Sequence, residues 1–437
     1  MPHISWTRYA LWTMAGLVVL RVAVPLAALA AGREGLPGLP VFEYDGLTGD
    51  ATGFYAAARE FMASWGRLPA ALVAALALLT LAGAVALVRA WRGKPALRGW
   101  LVAAAGAWFA LLSALAVTQM NPPGAAVVGW PIVWSLPMLP YRALGLSLDQ
   151  DVAFVLGLLL SLAANAVTVV ATAYAGLYAT GRRAVGLAAA VLVALWPFLT
   201  GAVRGERAWE NGTWAVDVGL AMYTEPLSTA LVAVALALLL APSAGDVRLA
   251  AAGACLGLAA AVKLSNGVLA AALLALLLAH VGVRRSLPFA AAGAAFVPLV
   301  VAYWPKGYTA ILEEDPDAWP DEPFGLRYAV SSWTDSLLFT PRVLLLLVPL
   351  AVVGAFALDR RWPRRVLVAA AIVNPVVYSV YWVTAQHPRF LFASLPPTFV
   401  LLVYGAAFIG ESVRRRAFAS RRRRARPERG FSRARAS

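Results

Sequence analysis

The chain has 437 residues, of which 61% are hydrophobic and 14% charged, with a mean hydropathy of +0.73. A soluble domain carries about 25% charged residues, so this composition excludes a soluble globular protein and predicts a polytopic membrane protein. The formal charge of +15 does not call for nucleic acid. Much of the excess lies after Ser412, and most of the rest falls in short loops on one side of the predicted spans; that is the positive-inside pattern followed by a basic tail.

Runs of about 20 apolar residues, the length that crosses a bilayer, fall at 11–31, 68–90, 98–118, 152–180, 184–203, 222–241, 247–263, 267–283, 287–304, 340–358, 365–384 and 390–411. The expected fold is therefore an all-α bundle of about twelve transmembrane helices, with 247–283 read either as two short helices or as one broken helix. The first run is long and no clear small-residue cleavage site follows it, so it is read as a span and not as a cleaved signal. Threading the runs with alternating direction collects the short basic connections on one side. The longer loops 32–67, 119–151, 204–221 and 305–339 collect on the other and hold nearly all the acids. This bias predicts a plasma-membrane protein with both termini cytoplasmic and the long loops outside.

The first outer loop carries Glu43, Asp45 and Asp50 in a Gly/Thr-rich stretch, where backbone can approach a ligand closely. Beyond Ala51, the residues Phe54, Ala58, Phe61, Met62 and Trp65 recur at helical spacing, which predicts a short amphipathic helix at the membrane surface. A solvated loop followed by an interfacial anchor explains the same residues. The second loop, 121–146, is apolar but interrupted by Pro122, Pro123, Pro131, Pro137 and Pro140. It predicts short interfacial or re-entrant pieces, because irregular backbone does not face lipid. Trp209 and Trp319 lie among acids in the later outer loops, a composition that suits sugar hydroxyls and ring faces but equally an aromatic belt.

The Arg-rich segment from Arg414 to Ser437 lacks the apolar content for a core. Residues 412–437 are expected to form a disordered cytoplasmic tail that binds anionic lipid. Cys255 is the single cysteine, and His3, His280 and His387 are scattered, which leaves no intrachain disulfide, no Cys-based metal site and no His-based zinc site to expect.

Three cations stand where the membrane penalises charge. Arg21 lies about 20 Å along the first span from Arg8, and Lys263 about 22 Å from Arg248, at 1.5 Å per residue. Arg389 opens the last span. All three fall near the outer leaflet, on the side of Asp45 and Asp50. Each could snorkel to headgroups; together they could also face a cavity for a lipid phosphate. A sugar on a polyprenyl phosphate already carries a good leaving group. Its transfer needs one base for the acceptor hydroxyl and cations for the departing phosphate. A divalent ion on carboxylates could assist.

Several segments resemble, in order, the GT-C class of integral-membrane glycosyltransferases, which includes the protein O-mannosyltransferase, aminoarabinose-transferase and actinobacterial mannosyl/arabinofuranosyl-transferase groups. Arg21 precedes the first outer loop, and GDATGFYAAAREF resembles the family's acid followed by an aromatic, Ala-rich helix. NPPG at Asn121–Gly124 resembles the Pro-Pro motif of the second outer segment. AAVKLSNGVLAA resembles the Lys-x-x-Asn segment, and HPRFLFASLPPTFVLL the late Arg-Phe-Leu…Leu-Pro-Pro segment. Ala51 departs from the pattern, since many members carry a second acid there.

The resemblance implies transfer of a sugar, mannose or arabinofuranose, from a polyprenyl-phosphate donor to an extracytoplasmic glycan, lipid or protein acceptor. It implies Asp50 as base, with Asp45 as alternative base, and both as ligands if Mg2+ or Mn2+ takes part. Lys263, Arg389, Arg21 and His387 are the implied donor-phosphate partners, and Asn121, Tyr55, Trp209 and Trp319 the implied substrate contacts. A twelve-helix secondary transporter, a lipid-linked glycan polymerase or ligase, and a non-catalytic scaffold are the rival readings; the first fits the span count but lacks the expected repeat symmetry.

Overall fold

The computed structural model describes residues 6–42, 44, 46–47, 49–93, 97–121, 127–204, 213–242, 245–314, 325–329, 342–381 and 388–424. Every regular element among them is helical. Six helices are long and apolar enough to cross a membrane: Arg8–Glu34, Ala70–Gly93, Arg98–Thr118, Gln150–Thr180, Val283–Gly307 and Leu391–Phe418.

The first helix, α1 (Arg8–Ala31), is capped by the Thr7 hydroxyl, which accepts from the Ala10 N–H at 3.3 Å. After the first outer loop come α2 (Asp50–Ser64), α3 (Ala70–Gly93) and α4 (Arg98–Thr118). The proline-broken loop forms two short helices, α5 (Gly129–Ser135) and α6 (Leu139–Ala143), joined by a 3-10 turn. The amphipathic α2 turns its apolar face, including Phe54, Ala58, Phe61 and Met62, inward. It packs on α5, so protein covers a face that its spacing alone would equally assign to lipid.

The longest helix, α7 (Gln150–Thr180), starts at an Asp149 cap and ends at Gly181, whose φ of +72° suits a residue without Cβ. It is followed by α8 (Arg183–Arg204), a short α9 (Thr213–Val218) and α10 (Glu225–Leu240). Next come α11 (Asp246–Val262), α12 (Ser265–Val281), α13 (Val283–Ala294) and α14 (Val297–Glu314). A two-residue turn at Ala295–Phe296 separates α13 from α14, and Val283–Gly307 as a whole still has the length and hydropathy of the one span expected over 287–304. The chain closes with α15 (Arg342–Ala357), α16 (Arg361–Ser379), a 3-10 segment Pro388–Ser394 and α17 (Leu395–Arg424). Helix α17 continues past residue 412, where a disordered tail was expected to begin. Ala and Arg are good helix formers, and a helix already nucleated adds residues at little cost.

Close helix crossings rest on glycine. On α11, a Cβ at Gly253 would lie 2.1 Å from the Phe289 carbonyl of α13, and one at Gly257 would lie 2.6 Å from that of Gly293. A Cβ added at Gly354 of α15 or at Gly405 of α17 would overlap a backbone carbonyl of the other helix, that of Leu401 or Leu350. Small residues let apolar helices approach where lipid offers no competing hydrophobic drive. The largest buried cluster joins α7, α8, α10, α11, α12, α16 and α17.

Candidate functional site

One end of this core carries a graded cluster of charges. Asp50 opens α2 behind Gly49, and its side chain is 54% exposed. Its Oδ2 accepts from Arg389 Nη2 at 3.0 Å. Deeper in, Arg389 Nε lies 3.9 Å from Glu225 Oε1, and Lys263 Nζ donates to the same oxygen at 2.7 Å. The Arg389 guanidinium sits 4.5 Å from the Tyr223 ring centroid, and Lys263 Nζ 5.4 Å from that of Tyr378. Two carboxylates and two cations therefore alternate from the surface inward. Burial works against the charged form of Arg389, but Glu225 and Asp50, with Tyr223, outweigh it and hold its pKa above the ordinary arginine value.

Local chemistry explains each placement. Lys263 adopts an extended φ of −155° between α11 and α12, so the 247–283 stretch is two helices and not one. The break is locked by Asn266, fully buried, whose amide donates to Ser228 Oγ at 2.8 Å and back to the Ala259 carbonyl at 3.1 Å. Asn374 of α16 in turn donates to Asn266 Oδ1 at 3.1 Å. A Cβ at Gly267 would sit 3.7 Å from Ala260 Cβ, which means the chain doubles back at Lys263 and presents it at a hairpin tip. Glu225 begins α10, where the helix N-terminus favours a carboxylate.

The segment leading to Glu225 is irregular and tightly held. Gly219 has φ +91° and Met222 φ +54°; the latter is the one non-glycine residue at positive φ among the described residues. Such a conformation is costly for a bulky side chain and persists only where surroundings enforce it. Trp130 of α5 does so by donating its indole N–H to the Met222 carbonyl at 2.7 Å.

Arg21 belongs to a neighbouring network. It is buried and does not snorkel; its Nη2 donates to the Asp217 carbonyl at 2.8 Å, to Asp217 Oδ1 at 3.1 Å and to Asn165 Oδ1 at 3.2 Å. It clamps α9, and with it the start of the segment that carries Tyr223 and Glu225. Arg21, Asp217 and Glu225 all line one small cavity between α1, α7 and α10.

The other expected contacts are dispersed. Tyr55 is buried against Trp134, 6.2 Å between ring centroids. Asn121 sits at the far end of α2 from Asp50, where its N–H donates to Glu60 at 2.8 Å. Asp45, His387, Trp209 and Trp319, together with Pro122–Gly124 of the NPPG motif, lie outside the described residues. Glu225, the residue that joins Lys263 to Arg389, was not singled out from the sequence. Its signal was an isolated acid at the head of an otherwise uncharged run.

Among the described residues no three His, Cys, Asp or Glu side chains cluster closely enough to hold a metal ion. Asp50 pairs with the Arg389 guanidinium, whereas Mg2+ or Mn2+ would take further carboxylates, and Asp45 lies outside the described residues. No known protein-family model matches the chain, and no curated protein is significantly similar to it.

Proposed function

We propose that the chain is an integral-membrane glycosyltransferase of the GT-C type, moving a sugar from a polyprenyl-phosphate donor to an extracytoplasmic acceptor with inversion. The observation that carries this reading is the alternation Asp50–Arg389–Glu225–Lys263, which sets an accessible carboxylate above two largely buried cations. A single base next to cations is the minimum set for displacing a phosphate.

In this mechanism the donor phosphate engages Arg389 and Lys263, and Arg389 releases Asp50. The acceptor hydroxyl loses its proton to Asp50 as its oxygen bonds to the anomeric carbon from the face opposite the phosphate. The anomeric C–O bond to phosphate breaks, and its electron pair leaves on the phosphate oxygen, stabilised by the two cations. Glu225 keeps the cations in place between turnovers.

The proposed topology has twelve spans, both termini cytoplasmic and the Asp50 cluster at the outer face, supported by the one-sided distribution of Arg and Lys in the connections. Mannose and arabinofuranose are the proposed sugars. The test is incubation of membranes containing the full chain with labelled polyprenyl-phosphate mannose or arabinofuranose. Labelled product that falls by at least about 100-fold in Asp50→Asn supports the reading. Absence of product from either donor, with counterflow of a free solute instead, supports a transporter.

A further inference from the structure

Helices α10, α11 and α12 run between the Asp50 cluster and the opposite end of the molecule. Their 16 or 17 residues span about 25 Å at 1.5 Å per residue. At that opposite end, between α10, α11, α12 and α16, lies a cavity of about 590 Å³. This volume falls in the range of small-molecule sites. Its inner wall is apolar, with Leu249 and Leu277 buried along it. Its charged and titratable lining is Arg285, Arg360, His280 and Asp246, so two permanent cations face one carboxylate, and Arg360 is fixed in place by donating Nη1 to the Tyr178 and Ala179 carbonyls at 2.7 and 3.3 Å. His280 stacks flat on Trp362 at 4.4 Å between centroids, and Trp362 donates to the Leu239 carbonyl at 3.1 Å; one rigid wall thus ties α12, α16 and α10 together.

We infer that this cavity binds the phosphate headgroup of an anionic phospholipid, held by Arg285 and Arg360, with an acyl chain lying along Leu249 and Leu277. Its two halves match the two halves of such a lipid: cations at the rim, leucines within. Basic recesses between membrane helices are known to take anionic headgroups, and an anionic leaflet supplies them at high local concentration. The inference rests on the proposed topology, which sets this end at the cytoplasmic leaflet, and not on the sugar-transfer chemistry or on lipid attraction to the C-terminal tail.

The experiment uses the purified full chain in detergent, with phosphatidylglycerol, phosphatidylcholine or inorganic phosphate added. Retained lipid is counted by native mass spectrometry, and thermal unfolding is followed in parallel. Two variants probe the site separately. Arg285→Gln removes charge alone. Gly245→Trp fills the mouth without touching charge; Gly245 has an ordinary φ of −75°, and among the described residues beyond its chain neighbours no atom lies within 4 Å of a Cβ placed there. Arg92→Gln, at the same end but outside the cavity lining, controls for diffuse attraction. The expected result is phosphatidylglycerol retained in preference to phosphatidylcholine, bound roughly fivefold more weakly in Arg285→Gln and in Gly245→Trp, and unchanged in Arg92→Gln. Equal loss in Arg92→Gln would overturn the site in favour of diffuse charge. A stabilisation by inorganic phosphate as large as that by phosphatidylglycerol, without retained lipid, would overturn the lipid assignment.

Discussion

Lys263 Nζ and Glu225 Oε1 lie 2.7 Å apart, and both side chains are largely buried. The pair joins the hairpin tip between α11 and α12 to the head of α10. Removing one member of a buried pair leaves a charge in low dielectric and costs about 3–5 kcal/mol, far more than the pair's net worth. The two deletions should differ. Lys263→Met leaves Glu225 with Arg389 still 3.9 Å away, whereas Glu225→Leu leaves two cations to repel one another. Thermal or denaturant unfolding in detergent should therefore rank Glu225→Leu below Lys263→Met. The double variant should be more stable than the sum of the single losses predicts. Strict additivity would mean that the two groups do not interact.

Arg389 contacts Asp50, Glu225 and the Tyr223 ring at once. A lysine keeps the charge but not the planar fork that lets one side chain serve several partners. In the labelled-donor assay, Arg389→Gln should raise the donor KM by about tenfold or more and lower kcat as well, since departing phosphate is stabilised most in the transition state. Arg389→Lys should recover part of the KM and little of kcat. A Gln variant with both constants unchanged would remove Arg389 from the donor site.

The helices were legible because lipid-length apolar runs leave few alternatives: each of the twelve runs overlaps a helix among the described residues, with breaks such as Met222, Lys263 and Ala295–Phe296 that apolar length alone does not reveal, and six helices meet the length and hydropathy of a span. Asp50, Lys263 and Arg389 stood out because membranes penalise charge and this chain has few acids. Their gathering in one cluster is a tertiary fact, for Asp50 and Arg389 are 339 residues apart. Glu225 was hidden by the apolar run around it, yet a buried lysine requires a counter-ion and could have prompted the search. Tyr55 enters with Asp50 through the resemblance of GDATGFYAAAREF to the family's acid-then-aromatic pattern. Five residues along a helix is a rotation of about 140° beyond one full turn, so the two side chains leave α2 on different faces.

The far end of α2 is held by a second ion pair. Glu60 pairs with Arg67 and accepts from the Asn121 N–H at 2.8 Å, fixing α2 to the end of α4. The bond from Arg67, with help from Asn121 and against some desolvation, holds the Glu60 carboxyl below its ordinary pKa. Folding therefore favours the ionised form. The stability this supplies is complete above the ordinary carboxylate value of 4.5 and is lost as pH falls through the lower folded-state value. Unfolding midpoints of the parent and Glu60→Gln should differ at neutral pH and converge as the pH drops below that range. A constant gap across the acid limb would mean that the ionised form of Glu60 contributes nothing.

Gly49 sets the position of Asp50 through its backbone, with φ +56° and ψ −139°, a region closed to ordinary residues. Space is short as well, because a Cβ there would meet the Tyr223 hydroxyl at 2.8 Å. Gly49→Ala therefore suffers two penalties, one conformational and one steric, and both fall on the residue before the proposed base. Transfer activity should drop by about tenfold or more, while the global unfolding midpoint moves little, since Gly49 is exposed. Tyr223→Phe removes the hydroxyl and keeps the ring that stacks under Arg389. It also removes the hydroxyl's hydrogen bonds to Arg389 and to the Asp50 backbone, so activity is compared with Tyr223→Phe itself, and Gly49→Ala should be less harmful in that background than in the parent. Equal losses in the two backgrounds would mean that backbone strain, and not contact with Tyr223, is what a side chain at position 49 disturbs.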